Sequence, residues 1–336
     1  MERTPSQFAS LSKDDEGQKS LTVSDVSSIS KAVVQEVEKA IVGKRSTVQA
    51  CVLTMLCEGH LLIEDVPGVG KTTLAKALSK AIGGEFRRIQ FTPDLLPTDI
   101  TGSSIFNQNA QTFDFRPGAL FANVVLVDEI NRATPKTQSA LLEAMEEHQV
   151  TSDGVTRLLP RPFFVMATQN NIEMTGTYPL PEAQLDRFFS RVQLGYPDRE
   201  FESEVLSRQQ IEAPIEKLQQ VGSLDDMLLA QRTVREVFVH ESIRDYVVDI
   251  VRATRDNSQL HLGASPRGSL YLMHAAQARA AMEGVDFVRP DDVKECAPSV
   301  LGHRLILRGE VRARGTSGEE VVRQILNTVA VPVTVG

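Results

Sequence analysis

The chain has 336 residues, with 36 Lys and Arg against 44 Asp and Glu, a formal net charge of -8 and 3 cysteines. That length calls for two domains, or one long α/β domain with a satellite, and an odd cysteine count without a C-x-x-C pair excludes a disulfide framework or a zinc knuckle and suits a reducing, cytoplasmic compartment. The acidic balance argues against the broad basic surface of sequence-independent nucleic-acid binding, 5% aromatic residues with no Trp leave little for base stacking, and neither export nor a membrane span is expected from the apolar patterning.

Residues 1–25 read as a polar tail, because MERTPSQFASLSKDDEGQKS holds too few apolar side chains to offset the entropy of ordering. From Val26 the apolar residues Val26, Ile29, Val33 and Val37 fall at helical spacing, and the helix closes near Ile41-Val42-Gly43. Strand and helix then alternate: LLIED at 61–65, a helix from Lys71 to Ile82, FRRIQF at 86–91, NVVLVDE at 123–129, a helix from Pro135 to Glu147, FFVMATQ at 163–169 and SRVQLGY at 190–196. Runs such as VVLV and FFVM lack a period of two, as strands covered by helices on both faces should, so the sheet is expected to be parallel. Two hairpins interrupt it, one within 100–118 that sets Ile105-Phe106 against Phe113-Phe115, the other within 149–160 turning at Asp153-Gly154. The core is placed at 26–197. Beyond Pro197 the pattern is nearly all helical, with start signals at Asp198, at Ser223 with Asp226, at Ser265-Pro266 and at Pro290-Asp291, so 198–336 is expected to form a helical lid and C-terminal segment.

Chemistry concentrates at the ends of the strands. The segment Val66-Pro67-Gly68-Val69-Gly70-Lys71-Thr72-Thr73 follows the first one; its glycines let backbone N–H groups turn inward around an anion, and the following helix adds its positive end. Lys71 would reach the β and γ phosphates, and Thr72 would put its hydroxyl on Mg²⁺. The pattern departs from G-x-x-x-x-G-K-T only at Asp65, where glycine is usual. A second apolar strand ends in Asp128-Glu129; Asp128 suits Mg²⁺, directly or through water, and Glu129 suits a general base for the attacking water. Asn170, after FFVMATQ, would contact that water or the γ-phosphate, and Arg187 and Arg267, both near helix ends, would supply positive charge to a phosphate.

Taken in order, the P-loop, the Asp128-Glu129 pair, Asn170, LDRF and GASPR resemble the MoxR family of AAA+ ATPases, in the clade whose second helix carries a β-hairpin insert. The resemblance spans about 28–310 and is densest in VDEINRATPKTQSALLEAMEE (127–147) and YPLPEAQLDRFFSR (178–191). It implies a P-loop AAA+ core of α/β class with a parallel sheet and two hairpin inserts, at 102–115 and 149–158, followed by an all-α lid. It further implies ATP with Mg²⁺; Asn170 as sensor 1; Arg267 as sensor 2; Arg187 as an arginine finger reaching a neighbouring subunit, with Arg132 and Arg191 as rivals; and Val42 and Gly43 lining the adenine pocket. A finger supplied in trans implies a homo-oligomeric ring, hexameric in this family. The expected activity is ATP hydrolysis that remodels or activates client proteins, often ones with a von Willebrand factor A domain. Asn171 stands where many relatives carry proline. A magnesium-chelatase-type motor subunit, a DNA-dependent motor and a nucleotide-switched scaffold are the competing functions.

The remaining features read as packing or solvated surface. Six histidines (His60, His148, His240, His261, His274, His303) show no paired ligand spacing. Cys51 and Cys57 fall among apolar neighbours and read as core. Arg87-Arg88 and the basic run HRLILRGEVRAR at 303–314 are expected to be solvated strand edges.

Overall fold

The computed structural model describes residues 20–169, 176–209 and 214–332. It opens with α1 (Val23–Glu38) and α2 (Arg45–Leu56), followed by β1 (Leu61–Glu64), α3 (Lys71–Ala81), β2 (Phe86–Gln90) and the short α4 (Pro97–Thr101). The first hairpin is β3 (Gly102–Asn107) with β4 (Thr112–Pro117); then come β5 (Val124–Asp128) and α5 (Pro135–Glu147). The second hairpin is β6 (Gln149–Ser152) with β7 (Val155–Leu158), followed by β8 (Phe164–Gln169), α6 (Glu182–Leu185) and β9 (Ser190–Val192). The C-terminal part holds α7 (Arg199–Gln209), α8 (Leu224–Glu236), α9 (Glu241–Arg255), β10 (Leu260–Leu262), α10 (Pro266–Glu283), α11 (Pro290–Leu301), β11 (Ile306–Leu307), α12 (Gly309–Ala313) and α13 (Gly318–Leu326).

The five-stranded sheet runs β2-β5-β8-β1-β9 with every pair parallel. Its central strands split their side chains between two cores. Leu61 and Ile63, Val124 and Leu126, Phe164 and Met166 join the helices α1, α2 and α3 on one face. Leu62, Val125, Val127, Val165 and Ala167 join Leu141, Leu142 and Met145 of α5 on the other. Strands buried on both faces must be apolar at successive positions, which is why VVLV and FFVM lack alternation. The first cluster continues into the C-terminal helices, taking in Met227 and Ala230 of α8, Ile250 of α9, and Leu272 and Ala276 of α10.

Helix starts follow the side chains that cap them. The α1 cap is Thr22, which exchanges hydrogen bonds with Asp25, so the helix begins at Val23, inside the stretch 1–25 assigned to a tail. Ser223 and Asp226 form the same capping box at α8. Both hairpins are present, set beside each other by an Asp153 carboxylate that accepts from the Ser104 N–H at 3.3 Å. The lid is helical but includes a two-stranded antiparallel ribbon, β10 with β11, which three- and two-residue strands were too short to announce. No helix among the described residues is long and apolar enough to cross a membrane.

The basic run at 303–314 is not a solvated edge at its start. Arg304 has a side chain only 1% exposed, and its guanidinium donates to Asp186 Oδ1 at 2.9 Å, to the Phe188 carbonyl at 2.6 Å and to the Val300 carbonyl. A charge so buried persists because carboxylate and carbonyl oxygens surround it. His303 beside it is buried as well, and burial together with Arg304 holds its pKa well below 6.5.

His60 is the second buried polar anchor. Its Nδ1 accepts the Val165 N–H at 3.0 Å, leaving Nε2–H to donate to the Met145 carbonyl at 2.9 Å, which ties α5 to β8 with a neutral ring. Desolvation depresses its pKa from 6.5 to about 3. Below pH 6.5 the unfolded chain takes up a proton that the folded chain refuses, so stability is full above 6.5 and erodes as the pH falls. Urea melts at pH 6.5 and pH 5 should differ by about 2 kcal/mol from this residue alone; a flat profile across that interval would refute the neutral assignment.

Candidate functional site

Because β8 lies between β1 and β5, the ends of three strands converge on one place. Past β1 the chain turns through Gly68 (φ +86°) and Gly70 (φ +94°), both left-handed, and α3 begins at Lys71 without a side-chain cap. An added Cβ at Gly68 would meet nothing within 4 Å, so glycine serves the backbone angle and leaves the main chain bare. The uncapped N–H groups of α3 are an anion site in waiting.

A cavity of about 330 Å³ opens there, lined by Pro67, Gly68, Gly70, Lys71, Thr72 and Thr73 from the loop and the start of α3, and by Arg88, Gln90, Asp128, Glu129 and Thr168 from the strands and their ends. Val69 instead packs against the core behind the loop. Lys71 donates from Nζ to the Asp65 carbonyl at 3.1 Å. Burial lowers its pKa, while Asp65, Asp128 and Glu129 pull it back toward the charged form.

Asp65 shows why the usual first glycine is dispensable. Its backbone is not left-handed, and its Oδ2 accepts the N–H groups of Leu194 at 2.6 Å and Gly195 at 2.7 Å while Oδ1 accepts that of Val66 at 2.8 Å. The side chain thus fastens the start of the loop to the segment after β9.

Across the cavity, Asp128 is 7% exposed; its Oδ2 accepts from Arg88 Nε at 2.7 Å and its Oδ1 from the Thr168 hydroxyl at 3.3 Å. Glu129 takes a left-handed backbone (φ +56°), uncommon for a residue with a side chain and a mark of functional sites. Its N–H donates to Thr168 Oγ1 at 3.0 Å, and its Oε2 accepts from Gln90 Nε2 at 2.9 Å and Arg132 Nη1 at 2.8 Å. Arg88, expected on a solvated edge, is therefore held by Asp128. The signal for it was available: Arg88 and Gln90 share a face of β2, and Gln90 is in register with Asp128.

These residues fit a divalent cation. The Thr72 hydroxyl and the Asp128 carboxylate are hard oxygen donors lining the same cavity. One hydroxyl and one carboxylate suit Mg²⁺, which takes few protein ligands and completes its shell with water and phosphate; among the described residues no cluster of three or more His, Cys, Asp or Glu is found.

The arginines expected at the nucleotide fall in three separate places. Arg132 belongs to the Glu129 carboxylate of its own chain. Arg191 is 17% exposed between Glu64 at 3.1 Å and Glu319 at 3.6 Å. Neither Arg187 nor Arg267 lines the cavity with Lys71; both reach one carboxylate, Glu146, at 3.2 Å and 2.6 Å. Asn170 and Asn171 fall outside the described residues. Gly43 is left-handed (φ +72°), and a Cβ there would overlap the Phe201 ring of α7. The turn from Ile41 to Gly43 sits beside the loop, Ile41 Cδ1 lying 3.7 Å from where a Cβ on Gly70 would be. Phe201 escaped sequence reasoning because nothing local marks a contact across such a separation.

Residues 60–190 match the family model described as ATPase family associated with various cellular activities (AAA), and residues 252–325 match the AAA lid domain model. Chaperone MoxR1 of Mycobacterium tuberculosis is 46% identical over 88% of this chain and 81% of its own length. The chain belongs to the MoxR family of AAA+ ATPases. Similar as well are a Bacillus subtilis protein, YeaC, uncharacterized by name, 52% identical over 89% of this chain and 94% of its own, and protein MoxR of Methylorubrum extorquens, 27% identical over 89% and 94%. A candidate ATPase from Cytophaga hutchinsonii, solved by crystallography, superposes with a TM-score of 0.87 at 39% identity, covering 93% of this chain and 97% of that one.

Asp65 yields a prediction against the usual P-loop pattern. Asp65→Gly in this MoxR-family chain removes the acceptor from three backbone N–H groups, and chemical denaturation should register a loss of about 2 kcal/mol. A variant as stable as the parent would contradict the fastening role.

Proposed function

We propose that this MoxR-family protein hydrolyses ATP in a ring of identical subunits, hexameric by family resemblance, and uses the reaction to remodel client proteins. The observation that carries the reading is the single cavity in which Lys71 and Thr72 face Asp128 and Glu129. Phosphoryl transfer needs positioning and charge neutralisation rather than covalent chemistry, and the residues present supply both. The N–H groups from Gly68 to Thr72 cradle the β and γ phosphates, and Lys71 exchanges the Asp65 carbonyl for them. Thr72 and Asp128 would hold Mg²⁺, which would supply positive charge against the phosphates. Glu129 turns a carboxylate oxygen from Gln90 and Arg132 to the attacking water and takes its proton.

Arg187 and Arg267 act together on the nucleotide of an adjoining subunit. Their common partner Glu146, away from the Lys71 cavity of the same chain, supports reading them as one cationic feature. A net charge of -8 and the paired state of Arg88 favour a protein client over DNA. A client with a von Willebrand factor A domain and a cytoplasmic location follow from resemblance and compartment chemistry.

Glu129→Gln should bind ATP with unchanged affinity in calorimetry and lose turnover, while Arg187→Ala should lower turnover by roughly 10³. Mixed, the two inactive variants should recover activity, since an Arg187→Ala subunit keeps its own Glu129 and borrows an arginine from its neighbour. No recovery at any ratio would sink the shared site, and absence of any heat on adding ATP with Mg²⁺ would sink the nucleotide reading itself.

The base of the nucleotide belongs beside Val42 and Gly43, against the Phe201 ring. The chain has no tryptophan, so Phe201→Trp places the sole indole there. Its emission should change with ATP or ADP and stay constant with inorganic triphosphate. Constant emission in all three, with calorimetry still recording ATP binding, would move the base elsewhere.

A further inference from the structure

Glu146 lies in the last turn of α5, with its side chain 38% exposed, and serves two cations from two other elements. Oε1 accepts from Arg267 Nη2 in the first turn of α10 at 2.6 Å. Oε2 lies 3.2 Å from Arg187 Nε, just past α6. One carboxylate between two guanidiniums leaves the trio with a net positive charge, and each arginine remains about one-third exposed.

The backbone under Arg187 is fixed from the other side. Its neighbour Asp186 accepts from Arg304 Nε at 2.9 Å and from the Ser265 hydroxyl at 3.2 Å. Ser265 is the N-cap residue of α10, so the turn carrying Arg187 and the helix start carrying Arg267 share a second carboxylate. What remains free to move is the pair of side-chain heads, and two guanidiniums this close repel each other unless an anion stands between them.

We propose that Glu146 is a positioning residue: it holds Arg187 and Arg267 side by side as one clamp for a phosphoryl oxyanion carried by a second copy of this chain. The inference rests on the reading that these arginines serve a neighbouring subunit's nucleotide. Two forks converging on one phosphate give bidentate recognition that either arginine alone lacks. When the oxyanion arrives it completes the neutralisation that Glu146 begins.

Glu146→Gln keeps the shape of the side chain and removes its charge. At saturating ATP, turnover should fall by about tenfold, the coupling expected inside one charge network, while calorimetric ATP affinity should fall by less than turnover, because the Lys71 cavity that Glu146 does not enter keeps its own contacts to the nucleotide. Glu146→Asp, which keeps the charge, should recover part of the loss, and melting temperature should not move. In an Arg187→Ala, Arg267→Ala background, Glu146→Gln should cost nothing further. Parent-like turnover in Glu146→Gln, an increase in turnover, or an equal loss in the double-arginine background would each overturn the proposal. The two readings fail separately. If Arg187→Ala turns over like the parent, the shared site fails and takes the clamp with it; if Arg187→Ala is impaired and Glu146→Gln is not, only the role of Glu146 fails.

Discussion

One constraint governs the whole site: two carboxylates, Asp128 and Glu129, share one cavity with the half-buried side chain of Lys71. Charges at the end of a buried strand are costly unless each has a partner. The sheet order answers this. With β8 inserted between β1 and β5, the Thr168 hydroxyl reaches the Asp128 carboxylate and also accepts from the Glu129 N–H, and the edge strand β2 offers Arg88 and Gln90 to the same two acids. The core on both faces exists, in effect, to deliver four strand ends to these few ångströms.

The sequence disclosed those parts of the molecule in which one local pattern has one physical meaning. A glycine-rich turn between a buried strand and a helix, an acidic pair after four apolar residues, and Asp153-Gly154 between β-branched flanks all appear where they were expected. Capping residues marked α8 and α10 in advance. Pairings between distant segments were hidden. Nothing near Arg88 announces Asp128, nothing near Glu146 announces two arginines from 41 and 121 residues along the chain, and Arg304 looks solvated until its partners Asp186 and Phe188 are seen. Asp65 misled in the opposite direction: measured against the P-loop pattern it is a fault, but its carboxylate accepts three N–H groups that a glycine would leave without an acceptor.

The lid is joined to the core by more than chain continuity. Its helices continue the cluster built on α1, α2 and α3, and Arg304 drives a buried guanidinium into the turn at Asp186, Phe188 and Phe189. That turn carries Arg187. A displacement of the lid therefore has to move Arg187 with it or break a buried ion pair, and removing one partner of such a pair costs roughly 3–5 kcal/mol. Rigid coupling of lid and turn is the cheaper outcome. In the proposed ring this favours subunits that shift as bodies against one another over a lid that flexes upon its own core.

Three carboxylates, two in the cavity and one outside it, are each held by arginine. Asp128 holds Arg88, Glu129 holds Arg132, and Glu146 holds Arg187 with Arg267. The cationic partners are a third to a half exposed, and pairs of that kind contribute about 1 kcal/mol or less apiece. They are strong enough to set side chains in place and weak enough to be exchanged. On the proposed reaction a triphosphate with its cation brings charges that compete for the two sets in the cavity, drawing cations toward itself and releasing the Glu129 carboxylate for water. The weakness of the pairs is then what lets nucleotide binding, rather than thermal motion alone, decide when the base is free.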